Sequence, residues 1–378
     1  MSKIRILVLV LLNILTVDLY AQMVDRKASF GTRNLFHNLL KIDSKGVLFG
    51  HQDDMAYGIG WQYQQGRSDI KELTGEYPAV LGWDLAGLEN NREKNIDGVP
   101  FEQMGEYIRS AYNLGLVNTI SWHMDNPLNG NTAWDTTSVT TVKEMLPGGK
   151  VHEKYKQWLD KFVKFNETLV GDDGKLIPIL FRPFHEHSGS WFWWGKKECT
   201  PTDYKELWKF TVKYLRKVKK LHNLIYVFNP NDFTSETEYL ERYPGDDYVD
   251  VLSFDTYQTG PVSNGEAFKS RLAAKLVIQD NLAKKHNKIS AIAEIGYVEI
   301  PDPNWWSEVL WKGIEQHPPA FIMAWRNAGF RELEKDNHYY APHLGHPSSV
   351  DFMKMMEEKK ILFQGAAKSL DLYANPKP

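Results

Sequence analysis

Eight short runs of apolar, mostly β-branched or aromatic residues punctuate the chain. They are Val47 to Gln52, Ala79 to Leu85, Leu116 to His123, Leu176 to His185, Leu224 to Asn229, Val249 to Tyr257, Ile289 to Ile295 and Ala320 to Arg326. Runs of this length that do not alternate with polar residues fit strands covered on both faces, as in a parallel sheet. Between most of them the pattern changes to a helical period. Glu102 to Asn113 places Met104, Tyr107, Ile108 and Ala111 on one face, and Thr202 to Leu221 does so with Leu207, Phe210, Tyr214, Leu215 and Val218. Thr202, just after Pro201, reads as the N-cap of the second of these helices. Ala267 to His286 and Asn304 to Gln316 read as helices as well, whereas the fifth unit, after Asn231, offers only a short helical segment. Strands alternating with helices eight times predict an α/β fold, the closed (β/α)8 or TIM barrel, as a single domain over residues 22–378.

The C-terminal ends of these runs are polar or aromatic nearly throughout. His51-Gln52-Asp53-Asp54 ends the first, Trp83-Asp84 lies in the second, Trp122-His123 ends the third, and Arg182 to Glu186 the fourth. Asn229 to Asn231, Asp255 to Tyr257, Glu294 and Trp325-Arg326-Asn327 close the remaining four. Active sites of such barrels form at that face, from strand ends and the loops that follow. Stability alone does not call for polar groups at nearly every strand end, so this distribution itself predicts a site.

Two stretches carry the chemistry: FRPFHEHSGSWFWWG, from Phe181 to Gly195, and AIAEIGY, from Ala291 to Tyr297. Each sets one glutamate, Glu186 or Glu294, at the end of an apolar run. Strands four and seven face each other across a barrel mouth, so the two carboxyl groups converge on one bond. Two carboxylates flanked by aromatic platforms suit glycosidic cleavage, in which one protonates the leaving oxygen and the other attacks or stabilises the anomeric carbon. A separation of about 5–5.5 Å means retention of configuration, and about 6.5–9.5 Å means inversion.

Together with GHQDDMAYG (Gly50 to Gly58), SWHMDNP (Ser121 to Pro127), DTY (Asp255 to Tyr257), AEIG (Ala293 to Gly296) and AWRN (Ala324 to Asn327), these motifs make the chain resemble glycoside hydrolase family 26, whose best-known members are β-mannanases. The resemblance spans essentially the whole chain after its N-terminal segment. It implies a retaining double displacement with Glu186 as acid/base and Glu294 as nucleophile, and hydrolysis of β-1,4-mannan, glucomannan or galactomannan. Mixed-linkage β-glucan and β-1,3-xylan are the alternative substrates. It further implies that His185 bonds the nucleophile or the substrate and that Tyr257 orients the nucleophile. Trp325 and His123 would hold the sugar at the cleavage point, Trp191 the sugar on the leaving-group side, and Trp83 and Arg326 units further along. Arg182 pairs with a carboxylate, either to favour its ionised form or as a barrel-mouth salt bridge. Trp193 and Trp194 read as loop packing and Phe192 as core. The segment Asn126 to Pro147, with Trp134, is a candidate wall at one end of the cleft.

Composition narrows the alternatives. A net charge of -3 and the lack of a basic stripe exclude nucleic-acid recognition as a primary function. His185-Glu186-His187 also invites a metal reading, but on a strand the two histidines would face one way and the glutamate the other, and the helical HExxH signature is absent. No metal or other cofactor is expected. The N-terminus, with Lys3 and Arg5, an apolar stretch from Ile6 to Val17 and a small residue at Ala21, reads as a cleavable signal peptide over residues 1–21. Cys199, the one cysteine, is far from that cleavage point, so no lipid anchor and no internal disulfide are expected. The expected protein is a monomer, secreted or periplasmic, with β-mannan or manno-oligosaccharides as its partners. The barrel accounts for nearly all of residues 22–378, and no separate carbohydrate-binding module is expected within them.

Overall fold

The computed structural model describes residues 22–332, 335–358 and 360–376, so the signal-like segment and its cleavage point lie outside the described residues. The apolar runs form the strands of a barrel. These are β1 (Val47–Gln52), β2 (Val80–Asp84), β3 (Val117–Trp122), β4 (Ile179–Pro183), β5 (Leu224–Phe228), β6 (in two pieces, Val251–Leu252 and Asp255–Gln258), β7 (also in two pieces, Ile289–Ser290 and Ile292–Tyr297) and β8 (Phe321–Ala324). Each pairs in parallel with its neighbours in sequence, and β8 returns to β1 with His51 opposite Ala324, which closes the ring. The fold is thus the predicted (β/α)8 barrel.

The period of two along a strand decides which side chains reach the barrel interior. Phe49 of β1 points outward, where it stacks on Phe363 and meets Trp306 and Phe352 edge-on. Gln52 points inward and fills the space beside Gly82 of β2, where a β-carbon would lie 2.0 Å from its amide oxygen. A larger residue at 82 would have to displace the Gln52 amide and the Met323 sulfur. Trp83 therefore points outward. It is fully buried, stacks on Tyr107 at 5.9 Å and donates its indole N–H to Asn118. The expectation that Trp83 binds sugar is corrected by this geometry, because its position in the strand buries it between barrel and helix.

The helices differ from expectation mainly at their ends. Thr200, not Thr202, caps the helix Pro201–Lys213: its hydroxyl accepts from the backbone N–H of Asp203, and Pro201 takes the first helical position. That helix continues as a π-helical turn, Tyr214–Val218, and the helix between β7 and β8 is π-helical from Trp305 to Trp311. The unit after β5 has one short α-helix, Glu236–Leu240, and a 3-10 turn, Asp246–Tyr248. Three features carried no clear periodic signal. Two are short hairpins at the mouth, Tyr57–Gly58 with Trp61–Gln62 after β1 and Gly329–Arg331 with Asp336–His338 after β8. The third is a strand, Ile361–Leu362, which pairs with the start of β1. Among the described residues no helix is long and apolar enough to cross a membrane.

Candidate active site

Glu294 of β7 lies directly opposite Asp255 of β6 in the parallel register. Both point into the barrel mouth, so two buried carboxylates sit side by side, an arrangement that needs a cation. Arg182 of β4 supplies it from across the mouth. One guanidinium nitrogen donates to Asp255 at 2.9 Å and another to Glu294. The charges of Asp255 and Glu294 hold the guanidinium firmly protonated even though burial works against it. Arg182 thus does both things considered from the sequence: it pairs with Glu294, and it ties three strands together. Tyr257, two residues past Asp255 on the same face, donates its hydroxyl to the other oxygen of Glu294 at 2.6 Å. Asn229 donates to Asp255 at 2.6 Å. Each of these bonds favours an ionised carboxylate, but burial, with the charges of Glu294 and Glu186, still pushes the Asp255 carboxyl well up against the pull of Arg182 and Asn229.

Glu186 is held differently. β4 ends at Pro183, and the chain then turns, with Phe184 at φ 51° and Glu186 at φ 52°. A non-glycine residue in this left-handed region costs energy that the surroundings must supply. Phe184 is buried among the rings of Tyr155, Trp193, Trp194 and Tyr204, which fixes the turn. The turn lifts Glu186 over the cleft, where Asn231 donates to one oxygen and the indole of Trp191 to the other, each at 2.8 Å. Burial, and then the negative charge of Glu294, push the Glu186 carboxyl up to about 7, against the opposing pull of Asn231, Trp191 and Arg182. One oxygen from each of Glu186, Asp255 and Glu294 lies within 4.8 Å of the other two. These three carboxylates could also hold a cation, but Arg182 already occupies an oxygen of two of them and supplies the positive charge there.

The cleft above these groups has a volume of about 830 Å³, and Glu186, Glu294, His123, Trp191, Tyr257, Trp325 and Arg326 all line it. His185 does not line it. Its Nε2 lies 3.1 Å from Nε2 of His123, whose Nδ1 bonds Asp84 at 2.8 Å. Asp84 accepts four donors from Ala86, Ser121 and His123, and despite complete burial its carboxyl stays below the usual range, chiefly because of His123. Burial holds His185 neutral. The structure therefore places His185 one layer behind His123, with no bond to Glu294. His187 turns away into a pocket against Tyr204 and Phe228, so the two histidines flanking Glu186 do not converge as metal ligands.

Trp193 and Trp194 are fully buried, and each donates its indole N–H to a backbone carbonyl, of Met124 and His185 respectively. Phe192, expected in the core, is 2% exposed yet forms part of the cleft wall between His123 and His185. Trp134 stacks on His123 at 5.4 Å and lines the cleft. Several lining residues escaped the sequence reading, because they lie on loops without a periodic or motif signal: Asp97 after β2, and Arg331, His338 and Tyr340 in and after the β8 hairpin. Asp97 forms an ion pair with Arg326.

The family model for glycosyl hydrolase family 26 matches residues 24–331. The chain belongs to glycosyl hydrolase family 26. A mannan endo-1,4-β-mannosidase from Bifidobacterium adolescentis is 35% identical over 326 residues, which is 81% of this chain but only 32% of that relative's length. Family 26 structures share the fold closely. A β-mannanase from Bacteroides ovatus superposes with a TM-score of 0.87 at 42% identity, covering 92% of this chain and 98% of its own. The catalytic domain of an endo-β-1,4-mannanase from a Bacillus species gives 0.85 at 31%, covering 94% and 96%.

Proposed function

We propose that the protein is a retaining β-1,4-mannanase that acts by double displacement. The observation that carries this reading is the pair Glu186 and Glu294, with carboxylate oxygens within 4.8 Å of each other, Glu294 bound by Arg182 and Tyr257 and Glu186 pushed up to about 7. That spacing suits the about 5–5.5 Å separation of retaining enzymes, which leaves no room for a water between carboxylate and sugar. Glu294, ionised and aimed by Arg182 and Tyr257, attacks the anomeric carbon and forms a glycosyl ester. Glu186, protonated near neutrality, gives its proton to the departing oxygen, then takes one from the water that hydrolyses the ester. Trp325 and His123 face the sugar whose bond is cut, and Trp191 the sugar on the leaving-group side.

The substrate class rests on the mannanase relatives, since the cleft does not by itself distinguish mannose from glucose. The relatives do not favour mixed-linkage β-glucan or β-1,3-xylan. The signal-like pattern of residues 1–21 supports a secreted or periplasmic location. Product analysis on linear mannan, galactomannan, mixed-linkage β-glucan and β-1,3-xylan, sampled early, tests the assignment. Hydrolysis of the mannans alone is expected, and activity confined to another polymer overturns the substrate class. One uniform early product, such as mannobiose, means release from a chain end, and a spread of lengths means internal cutting. Proton NMR of the first-formed product tests retention, and a chelator is expected to leave the rate unchanged.

A further inference from the structure

The long helix Gly265–His286, between β6 and β7, buries Leu272, Lys275, Leu276 and Gln279 against the barrel. Gln279 suits that place, because its amide donates to the carbonyls of Leu252 and Ala291. Lys275 does not suit it by itself. Its side chain is only 5% exposed, and burial pulls its ammonium below the usual range. The loop after β5 supplies what holds the charge there. The ammonium meets Asp232 at 2.6 Å and the backbone carbonyl of Asn231 at 3.4 Å, and it lies 5.6 Å from the ring centres of both Phe233 and Phe254. The carboxylate of Asp232 is 66% exposed, so the ion pair alone contributes little to stability.

That loop carries Asn231, whose amide donates to Oε1 of Glu186. Ser188, two residues past Glu186, ties the same loop from the other side. Its hydroxyl oxygen accepts from the backbone N–H of Asn231 at 2.9 Å and of Asp232 at 3.0 Å. Lys275 thus binds the carbonyl of Asn231, and Ser188 binds its N–H. With both backbone groups fixed, the side-chain amide has little freedom to leave Glu186. Neither Lys275 nor Ser188 lines the cleft. We propose that Lys275 and Ser188 are positioning residues for the acid/base, holding Asn231 from opposite sides so that its amide stays on Glu186. The proposal rests on the double-displacement reading above. Burial and Glu294 push the Glu186 carboxyl up while Asn231 pulls it down, so a slack loop lets it rise further.

Lys275→Met keeps the apolar stem and removes the ammonium. Ser188→Ala removes one hydroxyl, and it keeps the test open if the first variant fails to fold. The readout is the basic limb of kcat/KM against pH on mannotetraose, which a purely structural loss would leave in place. Glu294, Asp255, Tyr257 and Arg182 face Glu186, and Asp232, Arg271 and Asp255 surround Lys275; both variants keep all of them. The limb is expected to move up by about half to one pH unit in each variant, the worth of one hydrogen bond. Added to Asn231→Ala, either change is expected to move it no further. A limb left at the parent position in either folded variant overturns the inference. So does a shift that recurs in the Asn231→Ala background, since the change would then act on Glu186 without Asn231. No hydrolysis of mannotetraose by the unaltered protein, or a basic limb that survives Glu186→Gln, overturns the double-displacement reading and this inference with it.

Discussion

The indole N–H of Trp191 donates to Oε2 of Glu186 at 2.8 Å, from a ring that is itself 40% exposed. What lets the ring fold back this far is Gly189. A β-carbon there would lie 2.3 to 2.5 Å from three atoms of the six-membered ring. Gly189→Ala must push the indole off Glu186. Because that bond lowers the Glu186 pKa, its loss raises it. The basic limb of the kcat/KM profile is expected to move to higher pH in Gly189→Ala and in Trp191→Phe. Adding Gly189→Ala to Trp191→Phe should shift it little further; two independent shifts that simply add would show that the glycine acts by some other route.

The proposed acid must be protonated to begin the reaction, so kcat/KM is expected to fall as pH rises through about 7, the value to which burial and Glu294 push Glu186. The groups facing it are Glu294, Asp255, Tyr257 and Arg182. Replacing Glu186 by Gln should remove that limb along with most of the activity.

The same shift has a consequence for stability. A carboxyl whose folded pKa lies above its unfolded value gives the native state an extra proton between the two, so stability falls as pH rises from about 4.5 to about 7. With the partial exposure of Glu186 to the cleft allowed for, the loss is about 2 kcal/mol. Denaturant melts should find Glu186→Gln more stable than the parent at pH 8 and nearly equal to it at pH 4. Equal stability at both pH values would mean that Glu186 ionises without penalty.

Arg182 balances Asp255 and Glu294 where all three side chains are buried. Arg182→Met leaves two buried carboxylates uncompensated and should cost about 3–5 kcal/mol as well as the activity. Adding Asp255→Asn to that variant should recover part of the stability, read as a rise in thermal midpoint, without recovering turnover. Additive losses in the double variant would argue against charge balance as the cause.

Trp83 makes the opposite prediction. Trp83→Phe strands the amide oxygen of the buried Asn118 and should cost about 1–3 kcal/mol. KM for any manno-oligosaccharide should stay at the parent value, and a clear rise in KM would put Trp83 back among the sugar contacts.

Much of the barrel was legible because its strands are buried on both faces and so read as uninterrupted apolar runs. The hairpins after β1 and β8 were not, since residues such as Tyr57, Trp61 and His338 take their places from tertiary contacts like those of Asp69 and Asn327. Glu186 and Glu294 stood out as lone carboxylates at the ends of apolar runs. Asp84 and Asn231 were marked only as polar strand-end residues, because nothing in the sequence gives them His123 and Glu186 as partners. Trp83 misled for a related reason: a tryptophan near a strand end looks the same whether the pleat turns it in or out.

The two left-handed residues around His185 leave this part of the protein with no easy improvement. Elsewhere such a position is relieved by glycine, which pays nothing for a positive φ. At 184 that exchange would empty a space enclosed by four aromatic rings, and at 186 it would delete the carboxyl group itself. Packing blocks one repair and chemistry the other, so selection for a hardier variant would have to work far from the mouth and leave this turn as it is.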